Sequence, residues 1–69
     1  MTKRQSKILD MLKGRPGKAY TAGRIAINVN RPASGVRKDL VELYHENWVT
    51  RVKLGSQFWY KAGLGPGGI

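Results

Sequence analysis

The chain has no cysteine, one histidine and only four acidic residues among its 69 positions. Without cysteine it can form neither a disulfide nor a thiolate metal site. So few histidines and carboxylates also argue against a zinc or calcium site, and we expect no cofactor. A single domain of this length buries little surface, so core packing must supply its stability.

Long apolar runs are missing as well. No segment approaches the roughly 18 consecutive apolar residues of a membrane-spanning helix. The first residues are basic, but the segment that follows is amphipathic and not uniformly apolar, which argues against a signal peptide. We therefore expect a cytoplasmic protein with no membrane partner.

The residues needed for catalysis are equally scarce. No two acids stand at a useful spacing, and the single histidine, His45, has no catalytic partner in sight. The stretch Thr21–Arg24 is not a phosphate loop, and no glycine-rich nucleotide fingerprint precedes a helix. We expect that the protein is not an enzyme.

Positive charge is what the chain has in excess. Thirteen lysines and arginines against four acids give a net charge of +9. This balance favours a polyanionic partner, because each phosphate that a protein neutralises releases a counterion. We expect that partner to be a nucleic acid, with an anionic membrane surface as the lesser alternative.

Hydrophobic periodicity predicts two helices in the first half of the chain. Residues 2–13 place their apolar side chains on one face. Ala19 and Tyr20 can form a short extended piece, after which Thr21 is a good N-cap for a second helix. That helix can end at Asn28 or Asn30, since asparagine tolerates the left-handed conformation. The side chains expected inside are Ile8, Leu9, Met11, Leu12, Ala22, Ile25, Ala26 and Val29.

A third helix is predicted over about 32–46. Pro32 suits its first turn, where a missing N–H costs nothing, and Asn47 is placed as a left-handed C-cap. The buried stripe of this helix should consist of Val36, Leu40 and Leu43, with Ala33 and Tyr44 at its flank.

The apolar period then changes from 3.6 to 2. Residues 48–52 and 57–60 are rich in strand formers, and the link 53–56 contains a glycine, which together predict a β-hairpin. Strand alternation points Val49 towards the core. On the second strand we expect Trp59, and not the pair Phe58 and Tyr60, to face inward.

The last seven residues contain four glycines. So much glycine carries a high entropic cost of ordering, so we expect a flexible tail over 63–69 after a domain over 1–62. No internal repeat and no second domain are visible.

The order of elements resembles a winged helix-turn-helix domain of the α+β class. The resemblance covers about 60 residues, and it implies a major-groove recognition helix followed by a hairpin wing. In size the chain is similar to the small stand-alone regulators of fimbrial operons and to phage- or plasmid-encoded transcriptional regulators. The motifs that carry it are Thr21-x-x-x-Ile25-Ala26, Val29-Asn30, Val36-Arg37-x-x-Leu40-x-x-Leu43 and Asn47-Trp48-Val49-x-Arg51.

Two residues of the chain depart from this pattern, and two other features need a separate explanation. Arg31 and Asp39 occupy positions where the family usually has apolar residues. Gly35 weakens the third helix by about 1 kcal/mol relative to alanine, which either permits close approach to DNA or is merely tolerated in a first turn. Lys3 and Arg4 form a second basic patch whose charge opposes the helix macrodipole.

The resemblance assigns DNA contacts to the leading half of the third helix and to the wing. On the helix, side chains such as Arg37 and Lys38 can reach phosphate or guanine, and the hairpin tip at 53–56 should lie along the backbone or a minor groove. The predicted DNA-binding residues are Arg31, Ala33, Ser34, Gly35, Arg37, Lys38, Arg51, Lys53 and Ser56.

Two other functions fit the same fold, because fold alone does not give function. The domain could bind RNA, or it could make protein–protein contacts within a nucleoprotein complex. The basic face of the third helix favours DNA over a protein partner. One short domain offers few base contacts, so we also expect a homodimer partner or another transcription protein.

Overall fold

A computed structural model describes residues 1–63 and residue 65 of the chain. Three helices are followed by an antiparallel hairpin, as predicted, and the α+β class is confirmed. Within the described residues no helix is long and apolar enough to cross a membrane. The elements are α1 (Lys3–Lys13), β1 (Tyr20–Thr21), α2 (Ala22–Val29), α3 (Ala33–His45), β2 (Val49–Leu54) and β3 (Gln57–Ala62).

Short-range side-chain chemistry sets where these helices begin and end. Thr21 caps α2 by accepting a hydrogen bond from the amide of Arg24, and Asn30 ends α2 in the left-handed conformation at φ 55°. Asn47 follows α3 with φ 66°. Pro32 precedes the first helical residue as the N-cap of α3 and does not lie within its first turn, so α3 begins one residue later than predicted.

One continuous core joins the three helices to the sheet. Every predicted core position on the helices is buried or partly buried. Ala26 of α2, for example, is only 5% exposed. The fully buried members include one side chain from β2, Val49, which confirms its predicted inward orientation. The core consists of Ile8, Leu9, Leu12, Ile25, Ala26, Val29, Val36, Leu40, Leu43, Val49 and Tyr60.

The prediction that Trp59 faces the core is wrong, because hairpin register decides which side chains share a face. Arg51 is paired with Tyr60, and Val52 with Trp59. Directly paired residues point to the same side of a sheet, so Tyr60 joins Val49 in the core at 5% exposure. Trp59 lies with Val52 on the opposite side, called here the outer face of the sheet.

The tight hairpin turn explains this register. Leu54 pairs with Gln57, which leaves a loop of two residues between the strands. Gly55, the first of them, has φ 64°. Such turns need a positive φ, which glycine adopts without steric cost. β2 therefore runs two residues further towards the tip than predicted, to Leu54. β3 begins at Gln57 as predicted and is longer at its other end, where it extends to Ala62.

The predicted flexible tail falls largely outside the described residues, which exclude Leu64 and residues 66–69. Two of its glycines do make backbone contacts. The amide of Gly63 donates to the carbonyl of Trp48 at 2.9 Å, and that of Gly65 donates to the carbonyl of Asn47 at 2.8 Å. These bonds extend the pairing of the hairpin beyond its last pair, Val49 with Ala62, to the residues that follow β3 and precede β2.

Candidate nucleic-acid interface

Helix α3 is held rigidly on one side and exposed on the other. Val36, Leu40 and Leu43 are all completely buried. Ser34 and Lys38, which lie roughly opposite Val36 on a helix of 3.6 residues per turn, are exposed. A helix anchored in this way can present polar side chains to a ligand in a fixed register.

A groove of about 330 Å³ separates α3 from the hairpin tip. It brings together two of the predicted residues, Arg37 from α3 and Ser56 from the tip. Arg37 is exposed, so its guanidinium is available at a concave surface. The rest of the lining consists of Thr21, Ala22, Gly23, Gln57, Phe58 and Tyr60.

The turn between α2 and α3 forms a second concave surface. Arg31 and Ala33 both line it, beside Ile27, which is 74% exposed. The Nη1 atom of Arg31 donates to the carbonyl of Asn30 at 3.0 Å. Arg31 is exposed, so the departure from an apolar residue at this position leaves no charge buried between the helices.

Arg51 is placed differently from the other predicted contacts. Its guanidinium carbon lies 4.1 Å from the ring centroid of Tyr44 and 4.3 Å from that of Phe58. Two aromatic rings therefore lie close to the cation, an arrangement that stabilises it. Because Tyr44 belongs to α3 and Phe58 to β3, Arg51 ties the hairpin to the helix. Lys53 is nearer the tip and exposed, with its ammonium 5.9 Å from the Phe58 ring.

Arg4 forms an ion pair with Asp39 that sequence reasoning missed. The Nε atom of Arg4 donates to Oδ2 of Asp39, and Nη2 donates to Oδ1 at 3.3 Å. The side-chain nitrogen Nε2 of Gln5 also donates to Oδ1 of Asp39 at 3.3 Å and to Oε2 of Glu42 at 2.7 Å. Asp39 is therefore buried but fully partnered, which accounts for an acid at an inner position of α3.

The same ion pair accounts for Gly35. A Cβ atom at this position would lie 2.5 Å from Nη1 of Arg4 and 2.9 Å from its Cζ. Glycine thus leaves the space that the guanidinium occupies. The signals for this contact were a glycine inside a helix, an acid near its core face and an arginine at the start of α1, but they lie far apart in sequence.

The hydrogen bond to Asp39 raises the pKa of Arg4 above its ordinary value, with a further contribution from the charges of Asp39 and Glu42. A raised folded-state pKa stabilises the fold below the unfolded-state pKa of arginine, and that contribution is lost only as the pH rises through these strongly alkaline values. The cationic form of Arg4 therefore persists throughout the neutral range.

The acids of α3 divide its surface into two sides. Asp39 and Glu42 of α3 and its C-cap Glu46 fall within about 60° of one another on a helical wheel, and the first two contact Gln5 near the start of α1. Arg37 falls on the side that faces the hairpin. The leading end of α3 is thus its basic part, and the acids follow along one flank.

Solved structures with the same arrangement decide what this fold is. One is the homodimeric winged helix-turn-helix DNA-binding domain of Mb0332 from Mycobacterium bovis, a possible ArsR-family transcriptional regulator, with a TM-score of 0.72 at 20% identity. Another is reduced HlyU from Vibrio cholerae, with a TM-score of 0.74 at 19% identity. The fold is a winged helix-turn-helix.

The resemblance drawn from the sequence is thereby confirmed at the level of fold. In this winged helix, α2 and α3 form the helix-turn-helix and the β2–β3 hairpin forms the wing. The matches cover 86% and 90% of this chain, which spans 52% of the Mb0332 domain and 62% of HlyU. No family model matches the chain, and no curated protein does.

Proposed function

We propose that this winged helix is a small basic transcriptional regulator that binds double-stranded DNA. Helix α3 enters the major groove, and the tip at 53–56 contacts the backbone as the wing. One observation carries the proposal: α3 is locked to the core by Val36 and Leu40 while its opposite, leading face is basic and exposed. A rigid helix with that polarity suits readout in a major groove.

The groove between α3 and the wing adds support. Arg37 and Ser56 line it from opposite sides, so both can approach one DNA strand. The net charge of +9 supplies the attraction that does not depend on sequence. Both structural neighbours named above carry winged-helix folds, and the Mb0332 domain is described as DNA-binding.

Substituting two cations on α3 tests the proposal. We expect Arg37→Ala/Lys38→Ala to make the negative slope of log K against log salt concentration less steep by about 1.8, since each lost phosphate contact removes about 0.9. The matched control is Lys7→Ala/Lys18→Ala, which removes the same charge from exposed positions outside α3. An unchanged slope in the α3 variant, with circular dichroism like the wild type, would show that α3 does not contact the DNA.

RNA binding is the alternative that the basic surface leaves open, because a duplex backbone attracts the same side chains. Competition between DNA and RNA duplexes of equal length separates the two. We expect DNA to displace RNA. A homodimer, as described for the Mb0332 domain, or a complex with another transcription protein, would extend the few base contacts of one domain.

A further inference from the structure

The ion pair between Arg4 and Asp39 leaves part of the Arg4 guanidinium unused. Arginine has five N–H donors in a fixed plane, and two of its nitrogens, Nε and Nη2, donate to Asp39. Among the residues that the structure describes, Nη1 donates no hydrogen bond. This edge of the guanidinium, called here the open edge because it has no hydrogen-bond partner among those residues, belongs to a side chain that is 36% exposed.

Burial of Asp39 fixes where that open edge points. The Asp39 side chain is 5% exposed, and Gln5 holds the same carboxylate from a second direction. Two parallel bonds from a planar guanidinium to a carboxylate set its orientation as well as its position. The long Arg4 side chain is therefore ordered before any ligand arrives.

The open edge lies beside the leading end of α3. Nη1 occupies the space next to Gly35, the third residue of the helix. Lys38 lies about 60° away from Gly35 around the helix. Arg4 thus borders the exposed face of α3 on the side of α1, just as Arg37 borders it on the side of the wing.

A helix that occupies a major groove about 12 Å wide has a phosphate backbone on each side of it. At the leading end of α3 a cation borders each flank, Arg37 towards the wing and Arg4 towards α1. The acids of the α1 flank begin at Asp39, with which Arg4 is paired. We propose that Arg4 is a further phosphate-binding residue, oriented by Asp39 and admitted by Gly35, on the strand opposite to the one that Arg37 contacts. This inference rests on the proposed binding of duplex DNA.

A charge-neutral double variant tests the role of Arg4. Arg4→Gln/Asp39→Asn removes the guanidinium and its partner together, keeps the net charge and leaves no buried carboxylate without a cation. We expect the negative slope of log K against log salt concentration to become less steep by about 0.9, the value for one lost phosphate contact. The control, Lys3→Gln/Asp10→Asn, makes the same changes at two exposed positions of α1 and should leave the slope as in the wild type.

The two proposals fail separately. If Arg37→Ala/Lys38→Ala loses DNA contacts while Arg4→Gln/Asp39→Asn keeps the wild-type slope, Arg4 does not bind phosphate and α3 still does. If neither variant differs from the wild type, the DNA-binding surface lies elsewhere and both proposals fall.

A second measurement covers the case in which the double variant does not fold. In the wild-type protein, addition of duplex DNA should shift the side-chain N–H signals of Arg4, which are assigned from their disappearance in Arg4→Lys. Signals of Arg4 that stay in place while those of Arg37 move would overturn the inference.

Discussion

Replacing Gly35 with alanine should disturb the ion pair beneath α3, whereas the same change at Gly23 should only strengthen a helix. Both glycines lie in the first turn of a helix, Gly23 in α2 and Gly35 in α3. A Cβ atom at Gly23 would have no atom within 4 Å, but one at Gly35 would lie 2.5 Å from the guanidinium of Arg4. Gly23 is therefore a matched control.

The expected difference follows from two opposing effects. Alanine stabilises a helix by about 1 kcal/mol relative to glycine, and this gain should appear in full or in part at Gly23. At Gly35 the displaced guanidinium weakens the bonds to the buried carboxylate of Asp39, and a buried polar group that loses its partner costs about 1–3 kcal/mol. We expect the free energy of unfolding to rise in Gly23→Ala and to stay level or fall by up to about 2 kcal/mol in Gly35→Ala.

Urea unfolding followed by tryptophan fluorescence measures both variants, since Trp48 and Trp59 are half-buried. In a domain of this size 1 kcal/mol also moves the melting temperature by about 4–8 °C. The change at Gly35 is then repeated in the Arg4→Gln/Asp39→Asn background, where the added methyl group should stabilise as it does at Gly23. Equal gains at Gly35 and Gly23 in the wild-type background would refute the structural role assigned to Gly35.

Two further predictions concern the residues that support α3. Leu40→Ala should lower the free energy of unfolding by about 2–5 kcal/mol, because Leu40 is fully buried. Its control, Leu54→Ala, should change that free energy by less than about 0.5 kcal/mol, because Leu54 is 59% exposed. Similar losses for the two variants in urea unfolding would contradict the assigned core. Asn30→Ala should destabilise by about 1 kcal/mol through its left-handed φ of 55° while Asn30→Gly should not, and a loss in both variants would point to a side-chain role instead.

The parts of the fold that the sequence predicted are those set by neighbouring residues. Thr21 caps α2 through the amide three residues later, and Asn30 and Asn47 adopt positive φ values where the chain must turn. The buried stripe of α3 follows from a period of 3.6. Each of these features depends on a few consecutive residues, so its pattern is visible in the sequence.

The parts that were missed depend on contacts across the fold. Arg4 and Asp39 are 35 positions apart, so nothing in the sequence near either residue indicates that they meet. The inward side chain of β3 depends on the register that the two-residue loop imposes, which placed Tyr60 in the core instead of Trp59. Asp39 and Gly35 looked anomalous for the same reason, since their explanation lies on α1.

The leading end of α3 and the wing tip are proposed to bind duplex DNA together. The most direct test is a titration of backbone amide chemical shifts with a DNA duplex of random sequence. We expect the largest changes at residues 33–38 and 53–56, with smaller ones at Arg4. Changes centred on the outer face of the sheet, around Val52 and Trp59, with the α3 amides unmoved, would contradict the account.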